Sequence, residues 1–320
     1  APASRAAATT TPHEPMRALR SLTSAPYVEL AQAPDPEPLP SEALVQIAAF
    51  SLNRGECRRL ERMAPGSPIG WDLAGTVAVA AADGSGPPAG ARVVGYLLAG
   101  AWAQRAAVAT EHLAQLPDAV SFEQAATLPV AGLTALRALE LGGFMLGRRV
   151  LVTGASGGVG RFAIQLAKLA GARVTAVARR TEGLSGLGAE EVLDQLMPTG
   201  DVFDLVLDAV GGPVLGAALQ RVAPGGLVVS FAATVPEPVS FPTRELFARA
   251  PGARLYGLYI FAELDRTRSA AFDLRRLAEL VGAGRLDPQI ALTDSWERAP
   301  SAIEALLERR VAGKAVLAIG

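Results

Sequence analysis

Cysteine is almost absent from this 320-residue chain, since Cys57 is the only one. No disulfide can therefore form within the chain, and a zinc cage built from cysteines is excluded. Histidine is scarce as well, with only His13 and His112. A catalytic zinc takes three protein ligands, and Cys57 with His112 supplies at most two, so we expect no metal site. We interpret Cys57 as a packing residue in a protein of a reducing compartment.

An excess of charge of either sign is also missing. The chain has 30 basic and 31 acidic side chains and a formal net charge of −1, which argues against a nucleic-acid or membrane-surface partner. No uninterrupted apolar run reaches the roughly 18 residues that a membrane span needs. No basic segment followed by an apolar one opens the chain. We therefore expect a cytoplasmic, soluble protein.

Half of the residues are apolar, which is enough to bury two cores. Residues 1–15 are small and polar without a hydrophobic period, and we interpret them as a disordered tail or an expression remnant. From Met16 to about residue 128, short apolar runs are separated by Pro and Gly, a pattern typical of strands and turns. At Ser121 the pattern becomes helical, with a predicted capping box to Gln124, which marks a candidate domain boundary.

Beyond this boundary, apolar runs alternate with helical patterns. Strands are predicted at 150–153, 173–178, 204–210, 226–231 and 255–260, with a short helix after the second of them. This alternation predicts a parallel sheet covered on both faces, and hence the α/β class. After Phe261 the pattern predicts two helices with a polar connection between them, at 270–284 and 299–310, and then a strand at 313–319. These elements must join one of the two domains.

The segment VLVTGASGGVGRFAIQLAKLAG, at 150–171, predicts a strand, a tight turn and a helix. Ala155, Gly157 and Gly160 hold the three glycine positions of a dinucleotide fingerprint, so alanine replaces the first. Gly157 allows the backbone to approach a pyrophosphate, Gly160 allows close helix packing, and N–H groups at the helix start face the anion. A tight turn without a ligand is the alternative, but the surrounding strand and helix pattern favours the phosphate site.

Arg179 and Arg180 follow the second strand, where a carboxylate would bind the ribose of NAD. Two guanidiniums suit the additional 2′-phosphate of NADP instead. The alternative is that both arginines only begin a solvated helix. We predict NADP(H) as the cofactor.

From Met16 to Gly320 the chain resembles the medium-chain dehydrogenases/reductases, in the zinc-independent branch of quinone oxidoreductases and enoyl reductases. The matching motifs are SLNRGE at 51–56, IGWDLAGTV at 69–77, LPVAGLTAL at 128–136, TGASGGVG at 153–160, DLVLDAVGG at 204–212, APGGLVV at 223–229 and GKAVL at 313–317. The resemblance implies two domains. Residues 16–127 and 262–320 are expected to form a GroES-like β-barrel catalytic domain, and residues 128–261 a Rossmann NADP-binding domain with a doubly wound parallel sheet.

The resemblance also implies the site. Zinc-dependent relatives carry Cys in the first motif and His in the second, where this chain has Asn53 and Trp71, so both metal positions are lost. Asn53 matches the family's active-site Asn, although it could equally cap the following helix. Tyr96 and Tyr259 are candidate proton donors, with delivery by water or from the cofactor side left open. Asp72 could orient the active-site floor or satisfy backbone donors.

The matched motifs imply further cofactor contacts. Thr134 is expected near the nicotinamide, Val210 and Gly211 near the adenosine, and Phe231 with Ala232 at the nicotinamide end. Lys314 of GKAVL is expected close to the cofactor. The glycine turn itself contributes Ser156, Gly157, Gly158 and Val159.

Together these observations predict an NADPH-dependent oxidoreductase that transfers a hydride to a conjugated C=C bond, as in an enone or enoyl thioester, or to a quinone, without a metal. Such acceptors need only a hydrogen-bond donor near the developing enolate. Two alternatives remain. One is a tailoring reductase or cyclase of secondary metabolism, and the other is a weakly catalytic NADPH-binding sensor or structural protein. We expect a small-molecule substrate and a homodimer that pairs through the apolar edge at 255–261.

Overall fold

The computed structural model describes residues 15–320, apart from the side chain of Glu245. The predicted tail, with His13, therefore lies outside the described residues except for Pro15. Within the described part of the chain, no helix is long and apolar enough to cross a membrane.

The strands are β1 (Met16–Ser21), β2 (Val28–Ala33), β3 (Glu42–Leu52), β4 (Asp72–Val79), β5 (Arg92–Tyr96), β6 (Arg105–Ala109), β7 (Leu113–Gln115), β8 (Arg149–Thr153), β9 (Arg173–Val177), β10 (Glu191–Leu193), β11 (Phe203–Asp208), β12 (Val222–Ser230), β13 (Arg254–Gly257), β14 (Ile290–Ser295) and β15 (Lys314–Ala318). The helices are α1 (Arg54–Arg59), α2 (Phe122–Ala126), α3 (Leu133–Leu141), α4 (Gly158–Leu169), α5 (Gly212–Leu219), α6 (Thr243–Arg249), α7 (Ile260–Thr267), α8 (Ala270–Gly282) and α9 (Ala299–Leu307). Short 3₁₀ turns cover Leu60–Arg62, Thr110–His112 and Trp296–Arg298.

A seven-stranded mixed sheet forms the first module. The order is β14-β15-β3-β4-β5-β7, and β6 pairs with β3. The last part of the chain returns to this sheet, because β15 runs antiparallel to β3 with Ala315 opposite Leu52. The predicted polar connection before α9 contains β14, which we did not predict. Its side chains alternate between half-buried and exposed. Ile290 and Leu292 are its only large apolar residues, which is too short a pattern to predict a strand.

The second module is a parallel sheet of six strands in the order β10-β9-β8-β11-β12-β13. Its central strands are apolar on both faces; Val150, Leu151 and Val206 are completely buried. This pattern is typical of a parallel sheet that helices cover on both sides. The protein therefore has a two-module α/β fold, as the sequence predicts.

Two local predictions in this module were wrong, and two elements were not predicted. No helix follows β9, because Gly183 and Gly188 adopt left-handed backbone angles of φ +78° and +113°, which break a helix. The segment at 255–260 is a strand only as far as Gly257, and α7 begins at Ile260. Helix α6 and the short strand β10 were not predicted.

The predicted helix after Ser121 is interrupted. Its capping box is confirmed, since Gln124 N–H donates to Ser121 Oγ at 3.2 Å and Ser121 N–H donates to Gln124 Oε1 at 3.0 Å. A π-helical turn at Leu128–Gly132 then separates α2 from α3. Pro129 lies in this turn and has no N–H to donate, which disfavours a regular α-helix. The N–H of Val130 instead donates to Asp72 of the first module.

Candidate functional site

The glycine turn joins β8 to α4 at the carboxyl edge of the parallel sheet. Ala155 is buried, and its N–H donates to Val177 O on the neighbouring strand at 3.1 Å. A Cβ at Gly160 would lie 2.6 Å from Ala155 Cα and 2.7 Å from Ala155 O. Only glycine therefore allows the first turn of α4 to lie this close to the strand end.

The start of α4 is suited to an anion. The backbone N–H groups of Gly158, Val159 and Gly160 donate to no other described residue, as expected for the first turn of a helix. They lie at the positive end of the helix dipole. Since Gly157 and Gly158 carry no side chain, a pyrophosphate could approach these donors directly. The turn therefore fits the nucleotide cofactor that its fingerprint predicts.

Arg179 and Arg180 lie just after β9, where the sheet edge would meet the adenosine ribose. Both side chains are exposed, and neither forms an ion pair or hydrogen bond with another residue in the range 15–320. The residues after them form turns. The alternative predicted that a helix begins here, and that part is wrong, although both side chains are exposed to solvent as it expected.

The loop after β11 is held beside the glycine turn by Asp208. This buried carboxylate accepts hydrogen bonds from Thr153 Oγ1 at 2.6 Å and from Gly211 N–H at 3.0 Å. Burial raises the pKa of Asp208, although these bonds lower it. The backbone oxygen of Asp208 accepts a further hydrogen bond from Phe231 N–H at 3.1 Å. Predicted cofactor residues Val210, Gly211 and Phe231 thus lie around one sheet edge, next to Ala232.

A buried polar network lies between this edge and the first module. Lys314 Nζ donates to Asn53 Oδ1 at 2.8 Å and lies 3.5 Å from Asp72 Oδ2. Asn53 Nδ2 donates to Asp72 Oδ2 at 2.7 Å and to Glu56 Oε1 at 3.0 Å. Asp72 also accepts from Ser51 Oγ. Its carboxylate also accepts from the backbone N–H of Val130 in the π-helical turn, as the expectation of satisfied backbone donors has it.

Asn53 has no amide hydrogen left for a substrate in this arrangement. Both hydrogens of its side chain are donated to carboxylates, and its oxygen accepts from Lys314. It also occupies the N-cap position of α1, where its backbone N–H donates to Glu56 at 2.7 Å. Lys314 in turn reaches the cofactor edge, because a Cβ at Gly158 would lie 2.7 Å from Lys314 Cδ. The network thus connects the first motif directly to the glycine turn.

Glu56 is a functional candidate that we did not predict. Its Oε2 accepts from Trp71 N–H at 2.9 Å. Burial, together with the neighbouring Asp72 carboxylate, raises the pKa of Glu56 to about 8, although bonds from Asn53 lower it. Asn53 and Glu56 have the N-x-x-E spacing of a capping box, which was the signal available in the sequence.

Aromatic rings line the other side of the network. Asp72 and Tyr96 are paired in the β4–β5 ladder, so both side chains lie on the same sheet face. The Tyr96 ring is 3% exposed, stacks on His112 at 4.3 Å and lies 5.7 Å from Phe261. Its hydroxyl has no hydrogen-bond partner among residues 15–320. Burial raises the pKa of Tyr96 to about 12 and lowers that of His112.

Tyr259 and Trp71 complete this aromatic cluster around Phe261, at centroid distances of 5.6 Å and 5.2 Å. Tyr259 is 61% exposed, so it lies at the rim. Thr134 is buried in α3 and its hydroxyl donates to Val130 O at 2.6 Å. The structure therefore brings both candidate tyrosines against the ring of Phe261.

Asn53 and Trp71 are the residues that the resemblance aligns with metal ligands of zinc-dependent proteins. In the part of the chain from residue 15 onward, no group of three or more His, Cys, Asp or Glu side chains could hold a metal ion. Cys57 is buried, and burial raises the pKa of its thiol well above the usual value. It packs among apolar residues, as we interpreted it.

The family model described as zinc-binding dehydrogenase matches residues 187–317. The chain is 43% identical over 192 residues to a chloroplast envelope quinone oxidoreductase homolog of Arabidopsis thaliana, covering 54% of this chain and 58% of that protein. It is 35% identical over 202 residues to the trans-enoyl reductase tazE of Aspergillus terreus, covering 55% of this chain and 66% of that protein. The chain thus spans less than two thirds of the length of either relative.

A solved structure matches over nearly the full length. It is an alcohol dehydrogenase superfamily protein from Novosphingobium aromaticivorans, with a TM-score of 0.85 and 30% sequence identity. The match covers 95% of this chain and 100% of that chain.

Proposed function

Since the chain belongs to the medium-chain dehydrogenase/reductase family, in its branch of quinone oxidoreductases and enoyl reductases, we propose that it uses NADPH to reduce a conjugated C=C bond or a quinone without a metal ion. The observation that carries the proposal is the contact of Lys314 with both Gly158 and Asn53. It places a buried polar network directly beside three free N–H groups. The proposed phosphate site and the proposed reaction site are therefore adjacent.

The bound reduced nicotinamide supplies the hydride. Hydride addition to an enone or enoyl thioester leaves negative charge on the carbonyl oxygen, which a nearby hydrogen-bond donor stabilises. We assign this role to Tyr96, because its hydroxyl has no protein partner and stays protonated at neutral pH with a pKa of about 12. Tyr259 is too exposed to exclude water. Asn53 acts as a positioning residue, because its amide holds Lys314 and Asp72 in place.

The absence of a metal requirement is supported by the side chains at the two motif positions. The amide of Asn53 is fully hydrogen-bonded to protein groups, and the ring of Trp71 packs against Phe261. Neither group offers a ligand of the kind that zinc prefers. Simple secondary alcohols, which need a Lewis acid to be activated, are therefore expected to be poor substrates.

The preference for NADPH is supported by Arg179 and Arg180. Hydrogen bonds to charged groups contribute about 1.5–3 kcal/mol, and about 1.4 kcal/mol is tenfold in affinity. One contact to the 2′-phosphate should therefore favour NADPH over NADH by roughly tenfold. Replacing both arginines with alanine should remove this preference; equal use of NADH by the parent protein would contradict it.

A homodimer is also part of the proposal. Strand β13 is an edge of the parallel sheet, and its Leu255 is 57% exposed. An exposed apolar edge favours pairing with a second copy of the same strand. The partner surface is then formed by 254–257.

The proposal is tested by following NADPH consumption with a panel of enones, enoyl thioesters and quinones. We expect turnover with at least one class, and the preferred class identifies the acceptor. A preference for enoyl thioesters would favour a role in secondary metabolism. Tight NADPH binding without turnover on any acceptor would instead indicate a sensor or structural protein.

A further inference from the structure

Tyr259 lies at the carboxyl edge of the parallel sheet, beside the segment that is expected to hold the nicotinamide. Strand β13 runs parallel to β12, with Gly257 opposite Ser230, and Leu258 N–H donates to Ser230 O at 2.9 Å. Phe231, which is expected at the nicotinamide end, follows Ser230 directly. Tyr259 is therefore next to the position expected for the hydride donor.

The aromatic rings around this position differ in whether a ring face is covered. The guanidinium carbon of Arg59 lies 5.8 Å from the ring centroid of Trp71, and His112 stacks on Tyr96 at 4.3 Å. Within residues 15–320, no ring stacks on Tyr259, no cation lies over it, and its hydroxyl has no hydrogen-bond partner. Tyr259 therefore has a free face on which a flat group could stack.

Phe261 connects Tyr259 to the proposed hydrogen-bond donor. Its ring centroid is 5.6 Å from that of Tyr259 and 5.7 Å from that of Tyr96. The planes of Tyr259 and Phe261 meet at 76°, so these two rings touch by an edge and do not stack. Phe261 is 6% exposed, whereas Tyr259 is 61% exposed. An acceptor whose carbonyl oxygen lies at Tyr96 would therefore meet Tyr259 with the part of its conjugated system that extends beyond Phe261.

We infer that Tyr259 determines specificity by stacking on an aromatic ring that is conjugated to the C=C bond of the acceptor. This inference rests on the proposed function and narrows the acceptors to enones that carry an aryl group. Offset stacking of two aromatic rings stabilises a complex beyond the burial of their surface. An alkyl group of the same size gains only from burial. Tyr259 therefore favours an aryl enone over its alkyl counterpart.

The test compares benzylideneacetone with the analogue that has cyclohexyl in place of phenyl, at saturating NADPH. Each variant is compared with the parent on the same enone, so the intrinsic reactivity of the two enones cancels. In Tyr259→Leu, we expect KM for the phenyl compound to rise roughly 2- to 12-fold, while KM for the cyclohexyl compound stays nearly unchanged. The kcat values should hardly change, because stacking is equally strong before and in the transition state. Tyr259→Phe keeps the ring and should retain both KM values.

Phe144→Leu is the matched control, because Phe144 is 77% exposed and precedes β8, at the opposite edge of the sheet. It should leave both KM values unchanged.

The outcomes separate this inference from the proposed function. Turnover of both enones with an equal rise in KM in Tyr259→Leu would overturn the inference and leave the proposed function intact, because the ring would then act only by burial. A loss in Tyr259→Phe as large as in Tyr259→Leu would also overturn it, because the hydroxyl would then be the contact. So would a Tyr259→Leu protein that loses only its dimer, because a second copy would then cover the ring. A parent protein that consumes no NADPH with any acceptor would contradict the proposed function, and the inference with it.

Discussion

Gly160→Ala is expected to damage both stability and cofactor binding. The added Cβ would lie 2.6–2.8 Å from three backbone atoms of Ala155. Backbone atoms cannot rotate away as a side chain can, so α4 must shift relative to β8. Overpacking of this kind costs about 1–3 kcal/mol, whereas alanine gains at most about 1 kcal/mol over glycine in a helix. The clash should therefore dominate, with a net loss of about 1–2 kcal/mol.

The shift also moves the free N–H groups of α4 away from the phosphate position. We expect the melting temperature to fall by roughly 2–3 °C and NADPH affinity to fall at least tenfold, measured by thermal unfolding and by calorimetry. Gly282→Ala in α8 is the control, because its Cβ would make only an ordinary contact at 3.4 Å. That variant should be neutral or slightly stabilised. A Gly160→Ala protein with the parent's melting temperature and NADPH affinity would refute this account of the turn.

Three further predictions concern other parts of the molecule. The pKa of Glu56 is raised from 4.5 to about 8. The stabilisation that protonated Glu56 gives the folded state is therefore complete below pH 4.5 and is lost as the pH rises through 8. It amounts to at most about 4–5 kcal/mol of unfolding free energy. Glu56→Gln should flatten this decline in unfolding free energy between pH 5 and 8; an identical decline in both proteins would contradict the assignment. Tyr96→Phe should lower kcat by roughly 100–1000-fold with little change in KM, and unchanged kcat would remove Tyr96 as the donor. Leu255→Lys should convert the dimer to a monomer in analytical ultracentrifugation, and a parent protein that is already monomeric would refute the edge pairing.

Much of the fold could be predicted because its signals are local. The apolar strands β8, β11 and β12 and the amphipathic helix α8 follow from hydrophobic pattern, and the capping box at Ser121 follows from two residues at fixed spacing. Strand β14 could not be predicted in this way, because it lies at the sheet edge, where Ile290 and Leu292 are its only large apolar residues. Its position depends on pairing with β15.

The candidate site was only partly predictable for a similar reason. The glycine turn and Arg179 can be found from spacing along the chain. The pairing of Glu56 with Asn53 is local and follows the N-x-x-E spacing, whereas the bond from Val130 N–H to Asp72 depends on how the two modules meet, and no local pattern records that contact. Tyr96 and Tyr259 were predicted as equals, but the structure distinguishes them by burial, at 3% and 61% exposed.

The central claim is that this protein reduces conjugated acceptors with NADPH and needs no metal. The most direct test compares kcat/KM for reduction of an enone or quinone by NADPH with kcat/KM for oxidation of a simple secondary alcohol by NADP⁺, using protein whose metal content has been measured. The account predicts that reduction is faster by orders of magnitude and that the active protein contains no stoichiometric zinc. Faster alcohol oxidation by a zinc-containing protein, lost on chelation, would contradict it.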